Sequence, residues 1–274
     1  MNITFNPAIN EALDLMENTS QNLFITGKAG TGKSTLLTYF RHHTKKKIVV
    51  LAPTGVAAIN VQGQTIHSFF KFKHSVTLNS IKTIKGKEKK NIYKKLDAIV
   101  IDEISMVRAD LLDCVDKFLR LNGKNPSLPF GGIQMIFIGD LYQLPPVLTS
   151  QEKDIFEAHY KSPYFFSALF FEKYEMTFIE LEKIFRQQED HFIRLLSAIR
   201  NETMTEEDMA LLNQRVKPDF ESEGYIYLTP KNSNADSINA DKLNALKGKP
   251  FTIEAQIKGT FGQDILSNTP DFNP

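Results

Sequence analysis

Four short apolar runs mark out the first half of the chain: NLFIT at 22–26, IVVL at 48–51, AIVID at 98–102 and IQMIFI at 133–138. None shows the strict apolar–polar alternation of a half-exposed strand, and each is followed by glycine or polar punctuation. Runs of this length suit strands of a parallel sheet covered on both faces. A fifth candidate, MTFIEL, lies at 176–181. Between the runs the pattern changes period. Residues 33–42 read as a helix, and so do residues 106–121, where Leu111, Leu112, Val115, Phe118 and Leu119 recur at helical spacing. Strands alternating with helices predict an α/β, doubly wound parallel sheet.

The texture shifts after residue 186. Phe192, Ile193, Leu195, Leu196 and Ile199 form an amphipathic stripe over 190–200, and TEED at 205–208 is a capping start for a helix reaching 216. GYIYLT at 224–229 then reads as a fresh strand, with a helix to follow near 234–246. The chain therefore divides into a lead-in helix over 1–20, a first domain over 21–216 and the beginning of a second over 217–274. Too few residues follow 248 to build a second core, so the second domain is expected to be incomplete.

Composition adds limits. The 274 residues are 42% hydrophobic and 24% charged, with a net charge of +1, so global basicity points to no nucleic-acid partner. The single Cys114 excludes an intramolecular disulfide framework. No apolar run approaches the roughly 18 residues of a membrane span, and no signal-peptide core opens the chain. The expectation is a soluble, cytoplasmic protein with no membrane partner, nucleoid-associated if bacterial. One local excursion stands out. Within the insertion expected at about 71–96, residues 71–95 hold nine lysines and one acid, Glu88. That segment is either a solvated, mobile surface insertion or a cationic lobe for a polyanion.

GKAGTGKS at 27–34 matches G-x-x-x-x-G-K-[ST] directly after one predicted strand and before a helix, the context the pattern requires. Gly27, Gly30, Thr31 and Gly32 would turn backbone N–H groups inward around phosphate oxygens. Lys33 would reach the β and γ phosphates, Ser34 would ligate Mg²⁺, and Thr35 would stand near the α phosphate. The run at 98–102 delivers Asp102 and Glu103 to a strand tip. Asp102 is expected to hold Mg²⁺ and Glu103 to polarise an attacking water.

Those two motifs specify a nucleotide hydrolase without saying what the energy is for. APTGVAA at 52–58 and GQTIHSFF at 63–70 gather Thr54, Gly55, Thr65, His67 and Ser68 with two aromatics beside the phosphate site. Backbone donors, hydroxyls and rings are what a single strand of nucleic acid needs. On residue type alone, His67 also fits an ordinary structural role, and Phe69 and Phe70 fit a core.

GKAGTGKST, APTGVAAINVQGQTIHSFF, VIDEISMV, PFGGIQMIFIGDLYQLPPV and IFRQ follow one another in the chain. In order and spacing they resemble the PIF (petite integration frequency) DNA helicases, in the RecD-like branch of helicase superfamily one, over about residues 20–248. The resemblance implies a RecA-like P-loop domain followed by a helical segment and the start of a second RecA-like domain. It also implies ATP-driven 5′-to-3′ translocation on single-stranded DNA, unwinding of DNA forks, a monomer, and roles in DNA repair, recombination and telomere maintenance. By the same resemblance Gln143 senses the γ-phosphate, Arg186 neutralises charge on the transferred phosphoryl, and Thr54, Gly55, Thr65, His67 and Ser68 contact DNA. Phe130, Gly131 and Gly132 fall in the family's signature region and are expected at the DNA as well.

Two departures accompany it. Ile9 stands where the family often has an adenine-reading Gln, and the later motifs of the second motor domain, with its SH3-like insertion, are absent. The isolated chain is therefore expected to hydrolyse and unwind weakly or not at all. The alternative is a non-catalytic DNA-binding or regulatory module from a split or decayed helicase. A small-molecule kinase lacks the expected lid arginines and leaves 139–147 and 52–70 unexplained.

Overall fold

The computed structural model describes residues 6–73, 75–85, 92–185, 190–218, 220, 224–248 and 251. The chain divides into two compact units, Met1–Ala210 and Leu211–Pro274.

Helix α1 (Pro7–Asn18) opens the first unit, with Asn6 Oδ1 accepting from the Ile9 N–H at 2.9 Å as its N-cap. Then come β1 (Leu23–Gly27), α2 (Lys33–His43), β2 (Ile48–Ala52), α3 (Gly55–Asn60), β3 (Gln64–Thr65) and α4 (Ile66–Phe70). The chain continues with β4 (Ala98–Ile101), α5 (Ala109–Asn122), β5 (Gln134–Ile138), α6 (Ser150–Glu157), β6 (Thr177–Leu181), α7 (Asp190–Arg200) and α8 (Glu206–Asn213). The six strands form one sheet in the order β3-β2-β4-β5-β1-β6, with every pair parallel.

Alternation along each strand divides the core in two. Leu23, Ile25, Val50, Ala98, Val100, Ile136 and Ile138 pack with Ile9, Met16, Leu37 and Phe40 of α1 and α2. Their neighbours Phe24, Leu51, Ile99, Ile101, Met135 and Phe137 pack on the opposite face with α4 and α5. Both faces being covered is why these runs read as continuously apolar. The doubly wound α/β sheet expected from the sequence is the observed one.

Parallel strands bring all their C-terminal tips to one edge. The glycine-rich loop after β1, Thr54 after β2, Asp102 after β4 and Asp140 after β5 therefore share that edge. The opposite, N-terminal edge carries the residues just before each strand.

The lysine-rich segment is pinned, over the parts described, by apolar anchors. Ile81, Tyr93 and Leu96 are buried, the Ile84 N–H donates to Asn122 Oδ1 at 2.8 Å, and Lys117 Nζ donates to the Leu78 carbonyl at 2.8 Å. Lys82, Lys85, Lys94 and Lys95 are exposed around these anchors. The described stretches thus combine a buried apolar footing with a cationic outer surface.

Within the second unit, α9 (Asn232–Asn244) forms where a helix was expected. The expected strand at 224–229 does not. That stretch lies outside any ladder among the described residues, with Ile226 86% and Leu228 90% exposed. Its run of β-branched, aromatic and leucine side chains has the propensity for a strand but pairs with none among the described residues, and propensity alone does not make a sheet. No helix among the described residues is long and apolar enough to cross a membrane.

Candidate functional site

The loop after β1 coils tightly enough to need its glycines. Gly30 and Gly32 take φ values of 82° and 95°, a left-handed region that costs other L-residues roughly 1–2 kcal/mol. Gly32 is the N-cap of α2 and supplies no side-chain acceptor, so first-turn N–H groups of that helix face the loop without a side-chain cap. Thr31 closes the loop on itself, its Oγ1 donating to the Lys28 carbonyl at 2.9 Å. Such an array of N–H groups at a helix start suits phosphate oxygens.

Lys33 extends back across this loop. Its Nζ donates to the Gly27 carbonyl at 2.5 Å and the Lys28 carbonyl at 3.1 Å. Burial holds its ammonium below the usual lysine range, while Asp140, Glu103 and Asp102 pull the other way. Those carboxylates come from the tips of β4 and β5, so the field around Lys33 records the convergence of three strand tips. Ser34 and Thr35 lie exposed in the first turn of α2, beside a shallow depression of about 380 Å³ shared with Thr38, Tyr39, His42 and His43.

Asp102 and Glu103 are held unlike any ordinary surface pair. Burial, then the adjacent Glu103, raises the Asp102 carboxyl to about 6. Glu103 itself sits in the left-handed region at φ 51°, starting a short 3-10 turn over Ile104–Met106. The tips of β4 and β5 are pressed together there. A Cβ on Gly139 would stand 2.8 Å from Ile104 Cγ2 and 3.1 Å from the Ile104 nitrogen, so only glycine fits.

After Gly139 the chain turns around Asp140, which is 1% exposed. Asp140 Oδ1 accepts from the Tyr142 N–H at 3.1 Å, and Oδ2 accepts from Gln143 Nε2 at 3.2 Å. Arg200, the last residue of α7, also donates to Oδ2 and lies over the Tyr142 ring at 4.2 Å. Residues 182–185 and 190–200 thereby close one side of the site. The Phe185 N–H donates to the Gly30 carbonyl at 2.8 Å, and Ser197 Oγ lies 3.5 Å from Lys28 Nζ. Arg186 lies outside the described residues.

Thr54, Gly55, Thr65, His67 and Ser68 gather at the same C-terminal edge, on the side of β2 and β3. Thr54 and Thr65 are both N-caps, accepting from the Ala57 and Ser68 N–H groups at 3.2 and 3.1 Å. Gly55 is exposed, and nothing stands within 4 Å of where its Cβ would be. Phe70 belongs to the core, 2% exposed in a cluster with Phe72, Tyr93 and Phe118, and the half-buried Phe69 packs edge-on against it.

The expectation for the 130–132 loop needs correction. Phe130 is fully buried against Phe137, Phe170 and Tyr174, and its N–H donates to Asp116 Oδ1 at 2.6 Å. Gly131 is buried and Gly132 exposed. The loop precedes β5, which places it at the N-terminal edge, a strand's length of roughly 16 Å from the phosphate-loop edge. A buried ring at that edge cannot stack on a base. Residues 130–132 instead lock the end of α5 to the start of β5.

Sequence reasoning overlooked Arg200 and gave Asp140 only its place at the edge. A basic residue ending an amphipathic helix is ordinary helix-dipole chemistry, so only the acid at the β5 tip hinted at a partner. A separate cavity of about 870 Å³ opens on the α5 face, lined among others by His67, Arg108, Asp110, Glu152 and Phe156. Larger than the depression by Ser34, it contains none of the converging charges. Its Arg108 is already bonded to Asp110 and Glu152. The converging charges lie at the strand tips.

A PIF1-like helicase family model matches residues 4–210. The chain is similar to the ATP-dependent DNA helicase PIF1 of Emericella nidulans, at 31% identity over 90% of this chain and 34% of the relative. It is also 30% identical to the ATP-dependent DNA helicase Pif1 of Bdellovibrio bacteriovorus, over 94% of this chain and 57% of the relative. A crystal structure of Pif1 helicase from Bacteroides, in complex with ADP-AlF3 and single-stranded DNA, superposes with a TM-score of 0.84. That match has 36% identity and covers 96% of this chain and 62% of the other. The chain thus spans between about a third and three fifths of the length of these proteins. Since the family model accounts for nearly all of the first compact unit, and the phosphate loop, acidic pair and Gln143 turn share one sheet edge within it, the chain belongs to the PIF1-like helicase family.

Proposed function

We propose that this chain carries the first motor domain of an ATP-dependent 5′-to-3′ DNA helicase, a monomer that binds Mg-ATP at the phosphate-loop edge and single-stranded DNA beside it. The convergence of Lys33, Asp102, Glu103 and Asp140–Gln143 at one edge carries this reading. Residues 1–20 form the lead-in, 21–216 the first RecA-like domain, and 217–274 the start of the second.

Each residue takes a role fitted to its surroundings. The loop N–H groups receive phosphate oxygens, and Lys33 exchanges its two carbonyl acceptors for the β and γ phosphates. Glu103, set beyond the strand tip by its left-handed turn, accepts a proton from the attacking water. Gln143 is neutral and exposed, so it can hydrogen-bond a γ-phosphate without repelling it. Arg186 would add positive charge as the phosphoryl group transfers. Ser34 and Asp102 are the groups that fit Mg²⁺. An acid raised by burial and by an adjacent carboxylate is one whose charged form a dication would stabilise, and Mg²⁺ usually takes only one or two protein ligands. When bound, Mg²⁺ neutralises charge on the phosphates.

Thr54, Gly55, Thr65, His67 and Ser68 supply hydroxyls and open backbone for phosphates of the strand. Phe70 cannot stack on a base, because its ring is in the core.

Titration of a fluorescent ATP analogue into the 274-residue chain, with and without Mg²⁺, tests the nucleotide site. Mg²⁺-dependent binding is expected, and absence of binding at millimolar nucleotide overturns the reading. Oligo-dT titration at rising salt tests the strand site, with affinity expected to fall steeply as phosphate contacts are screened.

A further inference from the structure

A buried carboxylate between two possible cations invites the question of which one it serves. Asp140 is 1% exposed and is the strongest of the charges acting on the Lys33 ammonium, yet its direct ionic partner is Arg200. Arg200 grips the 140–143 turn at two points. Nη1 donates to the same Asp140 oxygen that accepts from Gln143 Nε2, and the guanidinium plane lies 4.2 Å from the Tyr142 ring centre. The Tyr142 N–H donates to the Asp140 carboxylate at 3.1 Å and the Gln143 N–H to the Asp140 backbone carbonyl at 3.0 Å, so the turn is built around this one residue. The Arg200 side chain is 15% exposed, which leaves little room for any other orientation.

We propose that Arg200 is a positioning residue of the nucleotide site. By occupying Asp140 it holds Gln143 in place and keeps Asp140 from competing with phosphate for Lys33. This rests on the reading that Gln143 faces the γ-phosphate. Without Arg200, Asp140 is a buried anion with Gln143 as its remaining side-chain donor and with its field still acting on Lys33. The carboxylate then draws on both groups a triphosphate needs. A helix-end arginine that merely stabilises α7 would act on folding alone and would not change which nucleotide is preferred.

The test compares Kd values for ADP and a non-hydrolysable ATP analogue, with Mg²⁺, in the 274-residue chain and in Arg200→Met, Gln143→Ala and the double variant. Each single change is expected to cut the preference for the triphosphate by about tenfold, with the double variant no worse than the worse single, because the two act through one unit. Arg200→Lys keeps a cation for Asp140 but not the planar stack, and is expected to restore most of the preference. Amide hydrogen exchange in the nucleotide-free chain supplies an independent readout: protection at the Tyr142 and Gln143 N–H groups should fall in Arg200→Met and return in Arg200→Lys.

An Arg200→Met chain with wild-type nucleotide preference overturns the proposal, and so do additive losses in the double variant. Should the wild-type chain bind neither nucleotide, the proposed function fails by itself, while exchange still decides whether Arg200 holds the turn. Unchanged exchange in Arg200→Met then refutes the positioning role, and faster exchange upholds it. If Arg200→Met does not fold, Arg200→Gln carries the same comparison, since it too leaves Asp140 without a cation, and the same loss of preference and faster exchange at Tyr142 are expected there.

Discussion

Lys33 and Lys46 sit at opposite ends of the same sheet, both half-buried and both held by burial below the usual lysine range. Their partners differ in kind. Lys46, just before β2, donates to the Met16 carbonyl at 2.6 Å, the Thr19 carbonyl at 2.5 Å and Gln134 Oε1 at 2.7 Å, which uses all three ammonium hydrogens. Gln134 is satisfied in turn, donating to the Leu15 and Gln21 carbonyls at 3.2 and 2.7 Å. Lys33 has two loop carbonyls among the described residues and a field of carboxylates that do not bond it directly. The N-terminal edge is a closed polar network, which ties α1 to the sheet. The C-terminal edge holds a raised acid, a left-handed Glu103 and a lysine on replaceable acceptors. Local features that conflict with folding and concentrate at one edge mark where a ligand belongs.

The largest expected effect separates the two lysines by function. Lys33→Ala should weaken Mg-nucleotide binding by about a thousandfold, roughly 4 kcal/mol, read by fluorescent-analogue titration. Its folding stability should change little, since the loop carbonyls it leaves can be hydrated. Lys46→Met should do the reverse. Losing three charge-assisted bonds and stranding Gln134 should cost about 3 kcal/mol in denaturant unfolding, with nucleotide Kd unchanged within about twofold. A Lys46→Met chain with intact stability would mean the N-terminal network is not the structural clamp described here.

The same contrast explains what could be read from sequence. Strands β1, β2, β4 and β5 were legible because burial on both faces leaves an unbroken apolar signature, while β6 at the sheet edge shows alternating burial instead. β3 was not legible, since Gln64 and Thr65 alone make no pattern and pair only because β2 offers an edge at Leu51 and Ala52. At the C-terminal edge, Lys33, Ser34, Asp102 and Glu103 were placed by their spacing from strand ends, and Gln143 by the family resemblance. Arg200 lies 60 residues beyond Asp140, and nothing in the spacing links them. Phe130 misled for a simpler reason. The family resemblance marks 130–132 by motif alone, while the loop's place before β5 commits the Phe130 ring to the core at the other edge.

An intermediate effect concerns the acid at the functional edge. The folded chain raises the Asp102 carboxyl from an ordinary value near 3.8 to about 6, so folding favours its protonated form. Between about pH 4 and pH 6 the folded state binds more protons than the unfolded one, and stability falls as pH rises through that window. Asp102→Asn removes the penalty. It should raise stability by about 2 kcal/mol at pH 7.5 and by almost nothing at pH 4, while the Mg²⁺ dependence of nucleotide binding weakens. Equal stabilisation at both pH values would show that the acid is not strained by its charge.

The smallest effect comes from the backbone at Glu103. A non-glycine residue at φ 51° costs of order 1–2 kcal/mol in the folded state, whereas glycine adopts that conformation freely but gains entropy in the unfolded chain. The two terms nearly offset, so Glu103→Gly should stabilise by about 0.5 kcal/mol, and removing a charge next to Asp102 adds in the same direction. Glu103→Ala deletes the same carboxylate and keeps the strained backbone, so the difference between the two variants isolates the strain. If glycine is no more stable than alanine, the left-handed turn is relaxed and the functional edge carries its conflict in charge alone. If glycine is the more stable by about 1 kcal/mol, a glutamate is being held there against backbone preference. Its carboxylate then has to be what that position requires, in keeping with a base placed beyond the strand tip.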